Sequence, residues 1–410
     1  MSGDLRIDIA RLMRRLDELA GIGALPGGGC CRLALSDEDR QGRDLVVGWM
    51  RALGLEVSVD GIGNVVGLRA GRQDGPPVMI GSHIDTVASG GIYDGCLGVL
   101  AGLEVVQTLD DAGITTRHPV AVAFFTNEEG ARFAPDMMGS AVHQGALGLD
   151  AALAVTGIDG TTVGDELRRI GYAGTAGTGG FRARCFVEMH VEQGPVLDAA
   201  GTQIGVVEGV QGISWSEFTL GGIANHAGTT PMNMRHDAGI VAARIAVEAR
   251  SLAHDMGGDQ VATVGHVEMA PNLVNVVPGR VVMTVDLRNT DETLLKAAEA
   301  RLFDFARKAA DDEGVDLVRR TLARFEPVVF AREMTDLIEA TARARGLSTR
   351  RMPSGAGHDA QMFAPNCPTA MIFVPSRDGT SHNPEEFTAP DHIRAGADVL
   401  LHVVLQEASD

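Results

Sequence analysis

The chain has 410 residues, enough for two domains and a large buried core, with 45% hydrophobic and 22% charged residues as in an ordinary soluble globular protein. Lysine and arginine total 35 against 54 acids, and the net charge of −19 argues against nucleic acid or an anionic membrane surface as partner. Five scattered cysteines (Cys30, Cys31, Cys96, Cys185, Cys367) point to a reducing compartment rather than a disulfide framework.

Along the chain, Leu5, Ile9, Leu12, Met13, Leu16 and Leu19 recur at helical spacing where a signal peptide would show a different pattern. No apolar run approaches the roughly 18–20 residues that span a bilayer, so a cytoplasmic location is expected. Residues 25–36 form a glycine-rich loop, PGGGCC, without a phosphate-loop lysine, and receive no nucleotide role. A helix is expected over 39–53 and short strands over 56–59 and 64–68. The apolar run 77–80 reads as a strand opening into GSHIDTVASGGIYDG, residues 81–95. His83 and Asp85 alternate with Ile84 and so share one side of an extended backbone. Asp94 follows eleven residues after His83, and Gly90, Gly91 and Gly95 permit the bends that return it beside the imidazole. Imidazole and carboxylate suit a divalent ion, and Asp85 is placed to fix the His83 tautomer from behind. Cys96 reads as a small buried thiol.

A largely apolar helix is expected over 97–109, and an unbroken apolar strand over 120–125 ends in TNEEG. A further strand over 185–189 ends in HVEQGP. Strands alternating with helices indicate an α/β sheet, whose ligands lie beyond the carboxyl ends of its strands. The pattern then changes to strand 213–220, helix 238–252, strands 261–268 and 281–287, helix 292–310 and strand 315–321. That βαββαβ order can fold as its own layer. The expected organisation is a catalytic domain of residues 1–208 plus 324–410, with an inserted domain of 209–323.

Five candidate ligands stand out: His83, Asp94, Glu129, His190 and His382. Three histidines and two carboxylates match two ions that share a bridging carboxylate, for which Asp94 is the natural choice. One grouping sets His83 with Glu129 and His190 with His382, but the sequence leaves the pairing open. If Glu129 binds metal, Glu128 points elsewhere and can move a proton as general base. Arg288, after an expected strand, offers a guanidinium fork for a substrate carboxylate. Asn275 and Gln193 can each donate and accept toward a ureido or carboxylate group. His226 could steady an oxyanion. Asp359, next to His358, reads as structural or as support behind the ligands.

The segments GSHIDTVASGGIYDG, FFTNEEGARFAPDMMGS, EMHVEQGP, GGIANHAGTTPM, PNLVNVVPGRVVMTVDLR, SGAGHDA and SHNPEEF resemble, in order and over nearly the whole chain, the hydantoinase/carbamoylase family of dinuclear metal amidohydrolases. That family includes N-carbamoyl-L-amino acid hydrolases, β-ureidopropionases and allantoate amidohydrolases, within the aminoacylase and carboxypeptidase-like metallopeptidases. The resemblance implies a mixed-sheet α/β metallopeptidase-like catalytic domain with an inserted lid and dimerisation domain. It implies two divalent ions (zinc, or manganese, cobalt or nickel) on His83, Asp94, Glu129, His190 and His382, with Glu128 as base. It further implies substrate contacts from Gln193, His226, Asn275, Arg288 and the 355–357 turn with Gly357, in a homodimer where His226 reaches the partner subunit's site. The expected reaction is hydrolysis of the C–N bond of a small ureido acid, with allantoate hydrolysis or a dipeptidase or aminoacylase activity as alternatives.

Overall fold

A computed structural model describes residues 4–180 and 182–409. The chain divides into two compact units, Met1–Gly209 with Val329–Asp410, and Val210–Val328.

The first unit is built on a mixed sheet. Its consecutive neighbours are Glu56–Val59, Val65–Arg69, Val120–Phe125, Val78–His83, Cys185–Val191, Thr369–Val374 and Ile204–Val210. The four inner strands from Val120–Phe125 to Thr369–Val374 run parallel, and antiparallel strands flank them. Every residue of those four strands is buried. This explains why they read as continuous apolar runs rather than alternating ones. The helix Cys96–Asp111 packs against Val78–His83, and Gly98 and Gly102 let it approach closely, because a Cβ at either would press on Ser82, Ile80 or Val122. The helix Asp37–Ala52 begins two residues before the expected start because Ser36 caps it, accepting the Asp39 N–H at 3.1 Å. Ile9–Ala20 and Pro390–Ser409 add apolar side chains to the same core.

In the second unit, an antiparallel sheet runs Asp316–Phe325, Gly212–Gly221, Arg280–Asn289, Val261–Ala270. Burial alternates along Gly212–Gly221 and Arg280–Asn289, the period of a sheet with one covered face. Helices Ala238–Met256 and Glu292–Glu313 supply that cover, capped at their N-termini by Asp237 and Asp291. The βαββαβ order carries an addition that the hydrophobic pattern did not indicate, a short ribbon pairing Asn225–His226 with Val276–Val277. Among the described residues no helix is long and apolar enough to cross a membrane. All five cysteines are free.

Candidate metal centre

The parallel strands bring their chemistry to one edge of the first unit's sheet. His83 ends Val78–His83, Glu128 and Glu129 follow Val120–Phe125, and His190 is next to last in Cys185–Val191. His382 lies in the loop beyond Thr369–Val374. Asp94 precedes the helix Cys96–Asp111, which the chain enters through Gly95 at a φ of 63°. A side chain resists that backbone, and a Cβ there would also overlap the His83 ring.

Asp94 is the meeting point. Its Oδ1 lies 3.0 Å from His190 Nε2 and 3.6 Å from His83 Nε2, and its Oδ2 lies 3.2 Å from His382 Nε2. His382 Nε2 is also 3.3 Å from Glu129 Oε2. Two donor sets result: His83, Asp94 and His190 form one, and Asp94, Glu129 and His382 the other, with ligand atoms within 4.8 Å of one another in each. The grouping of His83 with Glu129 and His190 with His382 is therefore not the one the fold makes. His83 and His190 stand on adjacent strands and share one Asp94 oxygen.

Backbone carbonyls aim the two buried rings. His83 Nδ1 lies 2.9 Å from the Asp85 carbonyl oxygen, and His190 Nδ1 lies 2.8 Å from that of Val191. With Nδ1–H so engaged, each Nε2 faces Asp94 as a ligand would. The Asp85 carboxylate does not do this job. Its Oδ1 stays 4.0 Å from His83 Nδ1, and its oxygens accept the N–H groups of Glu128 and Glu129, each at 3.3 Å. The strand stops at His83, so the alternation that would put both side chains on one side stops with it. Asp85 shapes the Glu128–Glu129 turn instead.

The charges explain why this cluster demands a cation. Burial alone would strip protons from His83 and His190. Glu128, Asp94, Asp85 and Glu129 around His83, and Asp94 and Glu188 around His190, reverse that and raise both rings, His83 well above the usual histidine range. Hydrogen bonds to Asp94 and Glu129 push His382 up to about 10. Burial opposes ionisation of Asp94, yet His190, His382 and His83 hold it well below the carboxylate range. Raised rings beside ionised carboxylates mark a place that favours positive charge. A divalent cation supplies the same charge to a set of imidazole and carboxylate donors suited to it, so the residues fit a metal and can hold metal ions.

Glu128 lies 3.3 Å from His83 Nε2, and burial, with Asp359, Glu129 and Asp85 nearby, raises its carboxyl well above the usual range. Gln193 Nε2 donates to Asp94 Oδ2 at 2.9 Å, while its buried Oε1 has no partner among the described residues. Gln193 and Gly357 line, with the ligands and Glu128, a cleft of about 110 Å³. A larger groove of about 980 Å³ runs past Leu5 and Ile114, but its His402 is taken up by the Leu5 carbonyl and its Arg345 by Asp398.

The other expected substrate residues belong to the second unit. His226 is exposed on the short ribbon, and its Nδ1 accepts the N–H groups of Gly228 and Thr229 at 3.0 and 3.3 Å. That leaves Nε2 as the ring nitrogen not engaged by these N–H groups. Asn275, also exposed, lends its carbonyl to the Ala227 N–H at 2.9 Å. Arg288 is not an open fork, because its Nη2 lies 2.9 Å from Asp286 Oδ2 on the same face of the strand.

Sequence reasoning passed over three supporting groups. Glu188 accepts from Ser82 Oγ at 2.7 Å and from the Ala360 N–H at 2.8 Å. Its signal was available, a lone carboxylate inside the buried strand CFVEMHV. His358 packs edge-on against the His190 ring at 4.5 Å and bonds Ser354 Oγ at 2.9 Å. Glu386 reaches the Asp94 loop, and only its place in SHNPEEF hinted at that.

A profile of peptidase family M20/M25/M40 matches residues 79–406. The chain belongs to that family. This M20 chain is 43% identical over 404 residues to the N-carbamoyl-L-amino-acid amidohydrolase of Rhizobium meliloti, covering 98% of this chain and 97% of that one. It is 36% identical over 393 residues to the allantoate amidohydrolase of Escherichia coli (strain K12), at 95% and 96% coverage. Among solved structures, the amidase of the hydantoinase/carbamoylase family from Burkholderia multivorans matches with a TM-score of 0.97, at 45% identity over 99% of both chains. The family resemblance drawn from the motifs, and the mixed-sheet metallopeptidase-like fold it implied, are thus borne out.

Proposed function

We propose that this M20 chain is a metal-dependent hydrolase cleaving the C–N bond of N-carbamoyl (ureido) acids, foremost N-carbamoyl-L-amino acids or N-carbamoyl-β-alanine. The products are the amino acid, CO2 and ammonia. What carries the reading is the gathering of three imidazoles and Glu129 around a shared Asp94, with the Glu128 carboxylate beside His83. The full-length likeness to an N-carbamoyl-L-amino-acid amidohydrolase supports it.

His83, His190 and Asp94 would hold one divalent ion, and Asp94, Glu129 and His382 a second, of zinc, manganese, cobalt or nickel. When bound, such a pair lowers the pKa of water and polarises the carbonyl under attack. Glu128 accepts the proton of the attacking water and returns it to the departing nitrogen, work that a carboxyl with a raised pKa performs near neutrality. Gln193 Oε1 and the backbone at Gly357 are offered to the ureido N–H groups. The inserted unit serves as lid and dimerisation surface, bringing Asn275 and Arg288 to the substrate and His226 to the partner subunit's site. Arg288 must then exchange Asp286 for the substrate carboxylate. With Nδ1 accepting two N–H groups, His226 offers Nε2 as a donor to the developing oxyanion. Exposed Val267 and Met269 on the edge strand Val261–Ala270 are apolar surface that a second copy would cover.

Allantoate is the second reading, favoured by the Escherichia coli relative and by its own ureido group beside a carboxylate. The test is ammonia release from carbamoyl amino acids, carbamoyl-β-alanine, allantoate and ureidoglycolate, and amino-acid release from N-acyl amino acids and dipeptides, with added manganese or zinc. Fastest turnover of a carbamoyl amino acid or carbamoyl-β-alanine is expected. Preference for allantoate selects the second reading, and turnover of N-acyl amino acids or dipeptides alone overturns both.

A further inference from the structure

Glu386 stands behind the ligands and touches two of the three loops that carry the second donor set, those of Asp94 and His382. Its Oε1 accepts the N–H groups of Tyr93 and Asp94 at 3.0 and 3.1 Å. Its Oε2 accepts Ser381 Oγ at 3.0 Å, and that hydroxyl also lies 3.3 Å from Asp94 Oδ2. One buried carboxylate thus spans the chain just before Asp94 and the residue just before His382.

Neighbouring residues are cut to fit it. Gly91 passes so close that a Cβ there would overlap the Glu386 carboxylate, and a Cβ on Gly29, in the PGGG loop, would overlap Pro384 and the Gly90 carbonyl. The Tyr93 ring meets Phe387 edge-on at 6.4 Å. His382 itself holds a left-handed backbone at a φ of 51°, a conformation that persists where surrounding contacts impose it. The two rings of the first donor set sit on strands instead and are aimed by the carbonyls of Asp85 and Val191.

We propose that Glu386 is a positioning residue that clamps the Asp94 loop to the His382 loop and so sets the geometry of the Asp94, Glu129 and His382 set. The proposal rests on the dinuclear reading above. It makes an asymmetric prediction: Asp94 serves both sets and His382 only the second, so loss of the clamp weakens the second ion more than the first.

The experiment is manganese titration of chelator-stripped wild-type, Glu386→Ala, Glu386→Gln and Ser381→Ala proteins, followed by calorimetry and by metal content after gel filtration. Wild type is expected to take up two ions. Glu386→Ala should bind the second roughly 10–100-fold more weakly, the range for lost outer partners of a ligand, with a smaller loss at the first through the shared Asp94. Glu386→Gln retains an oxygen for the two N–H groups and should recover most of that loss. Ser381→Ala should show a smaller loss confined to the same ion. The proposal is overturned if Glu386→Ala binds both ions as wild type does, or if it weakens both alike with a matching fall in the metal-free melting temperature. A wild type that binds a single ion overturns the dinuclear reading instead, a failure visible before any variant is made.

Discussion

Glu128 and Glu129 are adjacent in sequence yet have different surroundings: Glu129 faces His382, and Glu128 faces His83. Glu128→Gln keeps the shape and removes the basic oxygen. Turnover is expected to fall by roughly 10²–10⁴-fold with metal content unchanged, checked by steady-state kinetics and elemental analysis. Turnover within a few-fold of wild type would remove Glu128 from proton transfer. Arg288 makes the complementary case. Because Asp286 already occupies it, its value to substrate is the difference between two carboxylates. Arg288→Ala should therefore raise KM for carbamoyl amino acids and leave carboxylate-free ureas nearly unaffected, and an equal effect on both would exclude it from carboxylate binding.

At the scale of elements, the entry into Cys96–Asp111 is the most exacting turn of the site. Gly95→Ala meets both a positive φ and the His83 ring, so the variant should bind metal far more weakly while keeping the sheet. Far-ultraviolet circular dichroism beside metal titration separates these outcomes, and wild-type affinity would show that the turn relaxes freely. The same turn shows what sequence can convey. His83 and Asp94 are close in the chain and separated by glycines, so their meeting is written in local rules. Which ring shares which oxygen of Asp94 is not, because that choice depends on strand neighbours remote in sequence. The strand Thr369–Val374 lies inside the sheet, between Cys185–Val191 and Ile204–Val210, and its apolar run TAMIFV, like VAVAFF, was a signal that sequence reading passed over. Asp85 misled for a different reason, since alternation holds along a strand and its own ends two residues earlier. The inserted unit was more legible, because Gly212–Gly221 and Arg280–Asn289 alternate along their length.

For the whole molecule, the cluster couples protons, metal and stability. Three rings with raised pKa must lose their protons when metal arrives, so affinity should climb with pH and binding should release protons. Stability of the metal-free chain runs the other way. A histidine raised in the folded state contributes fully below its unfolded value of about 6.5, and the share from His382 is lost as pH climbs to about 10. The stabilisation by manganese, read as a rise in melting temperature, should therefore grow with pH, reaching about 2.7 kcal/mol per site where manganese stands at a hundredfold excess over Kd. A pH-independent rise would dissociate the histidines from the metal. The interruption of the first unit by Val210–Val328 has a consequence for biosynthesis. His83, Asp94 and His190 all leave the ribosome before the insertion does, whereas His382 emerges only after it. A nascent polypeptide stalled within the insertion would carry one complete donor trio and lack both the last imidazole and the inner strand Thr369–Val374. The second trio can assemble only after the whole insertion has been made.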